Sequence, residues 1–190
     1  MKSRLEGLRV YLSGPCEMAP DRGSTWRDNI TPDLKILGME VLDPNHKSTK
    51  LSFCETGKEE FEKLKKLRNS EDWKTLRKYA KEVVRADLRA IDLSDLVILY
   101  GSSKIPTVGT WHEFSMAALQ KKPIYVIWEE GKKSCPLWLF GVIPDTCIFS
   151  SFEDAMKQLN YVAYCKDEDL EDATGGKYWY FLNNHGRLGV

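Results

Sequence analysis

Five short, nearly continuous apolar runs separated by stretches of helical periodicity limit the folds open to this chain more than any other feature. They are LRVYLS (Leu8 to Ser13), MEVLD (Met39 to Asp43), LVILYG (Leu96 to Gly101), PIYVIW (Pro123 to Trp128) and, more weakly, TCIFS (Thr146 to Ser150). Runs of this length, rich in β-branched residues, suit strands covered on both faces. Between them, Ser24 to Leu37 is amphipathic, with Pro32 expected to kink the helix or to restart it with Thr31 as cap. Trp73 to Ile91 places Leu76, Tyr79, Ala80, Val83, Val84, Asp87 and Leu88 near one face, and Thr110 to Gln120 and Ser151 to Tyr161 read as two further helices. This βαβα alternation predicts an α/β protein with an open, mostly parallel five-stranded sheet in three layers, flavodoxin- or Rossmann-like. Ligands of such sheets bind beyond the carboxyl ends of the strands, where the strand order reverses.

Two segments fall outside the rhythm. Residues 46–70 carry the Lys/Glu-rich stretch KEEFEKLKKLRNS, whose alternating signs suit a solvated insertion helix. The tail, residues 166–190, begins acidic (KDEDLED) and ends aromatic (KYWYFLNNHGRLGV), and its rings are expected to pack on their own domain. At 190 residues, 42% hydrophobic and 29% charged, the whole chain fits one domain with a sizeable core. Lys+Arg and Asp+Glu balance at 28 each, so no overall field favours nucleic acid or an anionic membrane. The five cysteines (Cys16, Cys54, Cys135, Cys147, Cys165) are scattered and never form Cys-x-x-Cys, which argues against a disulfide framework or a zinc site and fits a reducing cytoplasm. MKSRLEGLRV lacks the apolar core of a signal peptide, and no 18-residue apolar run is present, so neither export nor a membrane span is expected.

Chemistry should therefore be sought where the first and third strands end. After YLS come Gly14 and Pro15, then Asp21, Arg22 and Gly23 before the helix. This is neither G-x-G-x-x-G nor a P-loop, so a conventional dinucleotide or ATP cradle is not expected. In the third unit, Asp92 and Asp95 bracket a turn and read as structural. Asp87 instead lies on a part-apolar helix face, where a carboxylate is costly unless paired or in a cleft. Glu113 has two readings. Thr110-x-x-Glu113 matches a capping box, and spacing alone favours the cap. Its location at the start of the helix after a central parallel strand points instead to the ligand crevice, where the helix dipole keeps a carboxylate ionised and able to act as a nucleophile. His112 has no metal partner at ligand spacing, and His46 and His185 are remote in sequence, which favours a structural or gating role.

Taken in order, YLSGP, the Trp26-Arg27 pair, GMEVLDP, R-x-D-x-x-x-I-x-x-S-D-L-V-I-L and GTWHEFSMAALQKKPIYVI resemble the nucleoside 2-deoxyribosyltransferase family and its nucleoside 5'-monophosphate N-glycosidase relatives, from about Leu8 to Trp128. The resemblance implies Glu113 as the nucleophile that attacks the anomeric carbon, Tyr11 as the residue orienting it, and Asp87 as the group handling the nucleobase. Ser13, Gly14, Pro15, Arg22 and Trp26 of the first unit, with Thr107, Gly109 and Thr110 of the third, become candidate substrate contacts, and Gly109 would let the sugar approach the loop. Where transferase members place an aspartate for sugar hydroxyls, this chain has Thr107; the monophosphate hydrolases place a serine there.

Cleaving an N-glycosidic bond develops oxocarbenium character at C1' and negative charge on the departing base, so a carboxylate must attack the sugar and another group must neutralise the base. The resemblance thus implies transfer of deoxyribose between bases through a glycosyl-glutamate, with retained configuration and no metal or redox cofactor. Its alternatives are hydrolysis of a 5'-monophosphate, with Thr107 and Arg22 on the phosphate, and a non-catalytic nucleotide-binding module, against which the joint presence of Tyr11, Asp87 and Glu113 argues. The expected partners are a nucleoside or nucleotide, a nucleobase, and further copies of the chain in a homo-oligomer. Trp111 and the tail group Tyr178, Trp179 and Tyr180 are candidates to stack on a base and exclude water.

Overall fold

The computed structural model describes residues 2–46, 58–175, 179 and 182. Residues 47–57 of the expected insertion lie outside the described residues, as do Tyr178, Tyr180, His185 and Cys54. The strands are β1 (Arg9–Ser13), β2 (Glu40–Leu42), β3 (Leu96–Gly101), β4 (Ile124–Trp128) and β5 (Ile148–Phe149), all parallel, in the order β2-β1-β3-β4-β5. All five apolar runs are thus strands. The order reverses between β1 and β3, so the crevice expected from the alternation opens beyond the ends of these two strands.

The helices are α1 (Ser24–Ile36), α2 (Lys58–Asn69), α3 (Trp73–Leu93), α4 (Gly109–Leu119), α5 (Leu137–Val142), α6 (Phe152–Tyr164) and α7 (Leu170–Thr174). Side chains alternate across each strand, and this parity builds two cores. Val10, Leu12, Ile98 and Ile127 pack with Ile30, Leu34, Leu159 and Val162 of α1 and α6. Tyr11, Val97, Leu99 and Val126 pack with Ile91, Phe114 and Ala117 of α3 and α4. Tyr11 and Ser13, two residues apart, therefore both face α4.

Helix starts follow local chemistry at Asp72, whose side chain accepts from Thr75 N at 3.1 Å, and at Ser151, which accepts from Asp154 N at 3.1 Å. Pro32 does not break α1: the helix runs through it, and Thr31 caps nothing, its hydroxyl donating to Arg27 O at 2.7 Å one turn back. The insertion is helical where described. Part of the tail joins the first core, where Trp179, 2% exposed, meets the edge of Tyr125 at 5.9 Å. Trp111 packs on Phe114 and Trp128 instead. Neither ring covers the crevice. No helix among the described residues is long and apolar enough to cross a membrane.

Candidate active site

A cavity of about 370 Å³ opens at the carboxyl ends of β1 and β3. Its floor and walls come from four places: the β1–α1 loop (Gly14, Cys16, Glu17, Met18), Pro44 after β2, α3 (Val83, Val84, Asp87), and the loop before α4 with that helix's start (Pro106 to Thr110, His112 and Glu113). α3 buries Val83, Asp87 and Ile91, a stripe at four-residue spacing, so the same periodicity that docks the helix delivers the Asp87 carboxylate to the cavity.

Glu113 does not cap its helix. Its Oε1 accepts from the Tyr11 hydroxyl at 3.0 Å and its Oε2 from the Ser13 hydroxyl at 2.5 Å. The capping work falls to Thr107, whose Oγ1 accepts from Thr110 N at 3.3 Å and lies 2.7 Å from Thr110 Oγ1. Both glutamate oxygens are thus held from β1, and the carboxylate is turned across the helix end rather than back along it. Burial, and next the nearby Asp87 carboxylate, push the Glu113 pKa up to about 7, against the opposing hydrogen bonds of Ser13 and Tyr11. Burial and then the Glu113 and Asp87 carboxylates push Tyr11 well above the ordinary phenol value, so it stays an O–H donor at any working pH.

Of the substrate contacts expected from sequence, Gly14, Thr107, Gly109 and Thr110 line this cavity, and Ser13 reaches it through Glu113. Pro15 and Trp26 do not. They border a larger cavity, about 720 Å³, that includes α1 and α6 residues and none of Tyr11, Asp87 or Glu113. Trp26 stacks there on Phe152 at 5.6 Å and tilts against Tyr100 at 5.5 Å, as a core ring would. Gly14 is tied to that packing, because a Cβ on it would stand 2.8 Å from the Trp26 ring. Arg22 is not part of this lining and lies over the Phe61 ring of α2 at 3.8 Å. Tyr11 and Asp87 also border a third cavity, about 570 Å³, between β2 and α3.

The residue that sequence reasoning left without a role is Arg27. It is fully buried and donates to Gly23 O at 2.7 Å, Gly14 O at 3.0 Å and Leu12 O at 3.2 Å, with Asp43 3.6 Å away. One guanidinium thus satisfies three carbonyls and fixes the β1–α1 loop beside the cavity. Its adjacency to Trp26 was the available signal, but spacing cannot say which of Arg22 and Arg27 turns inward. Among the described residues one set of carboxylate and imidazole atoms closes to within 4.8 Å, on Asp28, Asp43 and His46. In it, Asp43 is engaged by His46 Nδ1 at 2.8 Å and by Arg27.

Gly109 gives a clean test of which positions serve a ligand. It begins α4, and beyond its chain neighbours and its own helix backbone nothing among the described residues lies within 4 Å of where its Cβ would stand. Gly109→Ala is therefore expected to fold with unchanged or slightly raised stability, by up to about 1 kcal/mol from reduced chain entropy. If the sugar approaches this backbone, KM should rise while Tm does not fall. A KM within error of wild type would remove Gly109 from the site.

No family model and no curated protein sequence matches the chain. Solved structures do. A 2-deoxyribosyltransferase from the psychrotolerant bacterium Bacillus psychrosaccharolyticus superposes with a TM-score of 0.51 at 16% identity, over 78% of this chain and 90% of that one. A 2-desoxiribosyltransferase from Leishmania mexicana gives 0.48 at 19% identity, over 82% and 97%. A CMP N-glycosidase from Clostridium botulinum gives 0.43 at 19% identity, over 80% and 98%. The first likeness shows the fold: this chain shares the three-layer α/β architecture of that 2-deoxyribosyltransferase.

Proposed function

We propose that this chain cleaves the N-glycosidic bond of 2'-deoxyribonucleosides and transfers the deoxyribose to another nucleobase. The observation that carries the reading is the orientation of Glu113. A carboxylate freed from capping, held on both oxygens by Tyr11 and Ser13, and placed with Asp87 around one cavity is set up for attack on carbon. In the first step a Glu113 oxygen bonds to C1' as the C1'–N bond breaks. The bonding pair leaves with the base, and Asp87, carrying a proton, delivers it there. Tyr11 and Ser13 hold the nucleophile against rotation and release electron density to it as their hydrogen bonds lengthen. In the second step a nitrogen of the incoming base attacks C1', Glu113 leaves as carboxylate, and Asp87 takes up the proton that the acceptor sheds. Two inversions give net retention.

Hydrolysis of a 5'-monophosphate is the second reading, favoured by the paired hydroxyls of Thr107 and Thr110 at the start of α4, where phosphate oxygens would find donors. Against it, the described lining of the cavity holds Glu17, Asp87 and Glu113 but no Lys or Arg, so a dianion would meet carboxylates without a countercharge. The uncharged nucleoside fits that lining better.

The test is chromatographic. With a deoxynucleoside donor and excess acceptor base, new nucleoside should form faster than free deoxyribose, with ping-pong kinetics, and a monophosphate donor should be poorer than its nucleoside. Release of free sugar phosphate that acceptor base does not affect would sink the transfer reading and make Thr107→Val, read by monophosphate binding, the next experiment.

A further inference from the structure

Beside the Glu113 cavity lies a second, smaller space of about 270 Å³ that the proposed reaction does not use. The two share Cys16, Glu17, Val83 and Val84 on their linings, so the smaller one is an annexe that continues the larger along α3. Its direction follows from helix geometry. At about 1.5 Å per residue, Val83 stands about 6 Å from Asp87 along α3, and Leu76, at the annexe's far wall, about 16 Å. A base that meets Asp87 would fill the near part of this span. The annexe would then begin where such a base ends.

Its chemistry is unlike that of the main cavity. Phe61 and Leu64 of α2 face Leu76, Ala80, Val83 and Val84 of α3, giving apolar walls. Around them stand Arg22, Lys65 and Arg68, against one lining carboxylate, Glu17. Arg68 reaches Glu17 at 2.8 Å and Lys65 reaches Glu62 at 3.1 Å, both as exposed pairs that a ligand anion can exchange at little cost. Arg22 is held over the Phe61 ring at 3.8 Å. α2 belongs to the inserted segment, so the insertion supplies most of the annexe's positive charge.

Resting on the nucleoside-cleaving reading above, we propose that this annexe is a specificity site for nucleobases bearing a carboxylate on a short apolar arm. The arm lies between α2 and α3, and Lys65 and Arg68 take the carboxylate. An arm of a few carbons on the base edge lies along the near part of these apolar walls, where the long side chains of Lys65 and Arg68 on the facing helix can meet its carboxylate.

The experiment is a binding comparison on Glu113→Gln protein by titration calorimetry, with N6-(2-carboxyethyl)-2'-deoxyadenosine against N6-propyl-2'-deoxyadenosine, and the same pair of substituents at C5 of 2'-deoxyuridine. In the better-bound series the carboxylate compound should bind at least about tenfold more tightly, and adding Lys65→Gln with Arg68→Gln should bring the pair within about twofold of each other. Equal affinities in both series overturn the proposal. So does a result in which 2'-deoxyadenosine 5'-monophosphate is the ligand whose affinity the two substitutions lower, because the anion then comes from the sugar side. Turnover of unsubstituted 2'-deoxynucleosides by the wild-type protein is measured separately. Turnover without a carboxylate preference removes the annexe alone; a preference that depends on Lys65 and Arg68, with no turnover, removes the nucleoside-cleaving reading and leaves the annexe as a binding site.

Discussion

Glu113→Gln is expected to abolish transfer, by about 10³-fold or more, while leaving a protein that is more stable than wild type above neutral pH. The activity loss follows from the proposed role, since an amide cannot form the glycosyl ester. It also separates the two readings of this residue, because glutamine serves a capping box as well as glutamate does and a mere cap would survive the change. The stability gain follows from linkage. Burial and Asp87 raise the folded-state pKa to about 7, above the ordinary value of 4.5. Below about pH 4.5 both folded and unfolded chains carry the proton and Glu113 imposes no penalty. Between there and about 7 the unfolded chain releases a proton that the folded chain keeps, so wild-type stability falls as pH rises, by about 1.4 kcal/mol per unit of pKa difference. Above that window the penalty is constant. Thermal melts of the two proteins should therefore coincide near pH 4 and separate by pH 8, with Glu113→Gln higher. Identical melts at pH 8 would show that the carboxylate is not held at a cost, and measurable transfer by the folded variant would end its assignment as nucleophile.

The second large effect is expected at Asp87. Asp87→Asn should slow transfer by about 10²- to 10⁴-fold for bases that leave poorly, because the amide cannot deliver a proton, and by much less for bases that leave readily as anions. A second readout is the pH profile. The reactive form keeps one proton on the Glu113–Asp87 pair, on Asp87, so in wild type kcat/KM should fall as pH rises through about 7 and the pair loses it. Asp87→Asn takes away both the proton donor and the charge that raises Glu113, so this limb should disappear. A uniform loss across leaving groups with the limb unmoved would make Asp87 a packing residue only.

Much of this was legible in the chain. Strand positions followed from uninterrupted apolar runs, because a strand covered on both faces has no polar side to show. The alternation with helical periodicity fixed a parallel sheet, since only crossovers connect parallel neighbours over such distances. Asp87 was visible as a carboxylate on an apolar stripe. Glu113 was visible as a candidate and undecided as to role, for a reason local sequence cannot remove: Thr110-x-x-Glu113 satisfies a capping box and a ligand crevice equally well in spacing. The tertiary structure removes the cap reading. With β1 beside β3, strand parity aims Tyr11 and Ser13 at α4, where they take both oxygens of Glu113, while Thr107 takes over the cap. The same parity sends Val10 and Leu12 to the opposite core, with Trp26 and Trp179, so rings that composition offered to a ligand became packing. Which arginine turned inward was likewise settled by position: Arg27, one turn into α1, reaches the carbonyls of the strand end, whereas Arg22, before the helix, swings out to Phe61. Sequence determines what each segment can be; which side chains meet across forty or a hundred residues is set by strand order and parity, and these exist only once the sheet has formed.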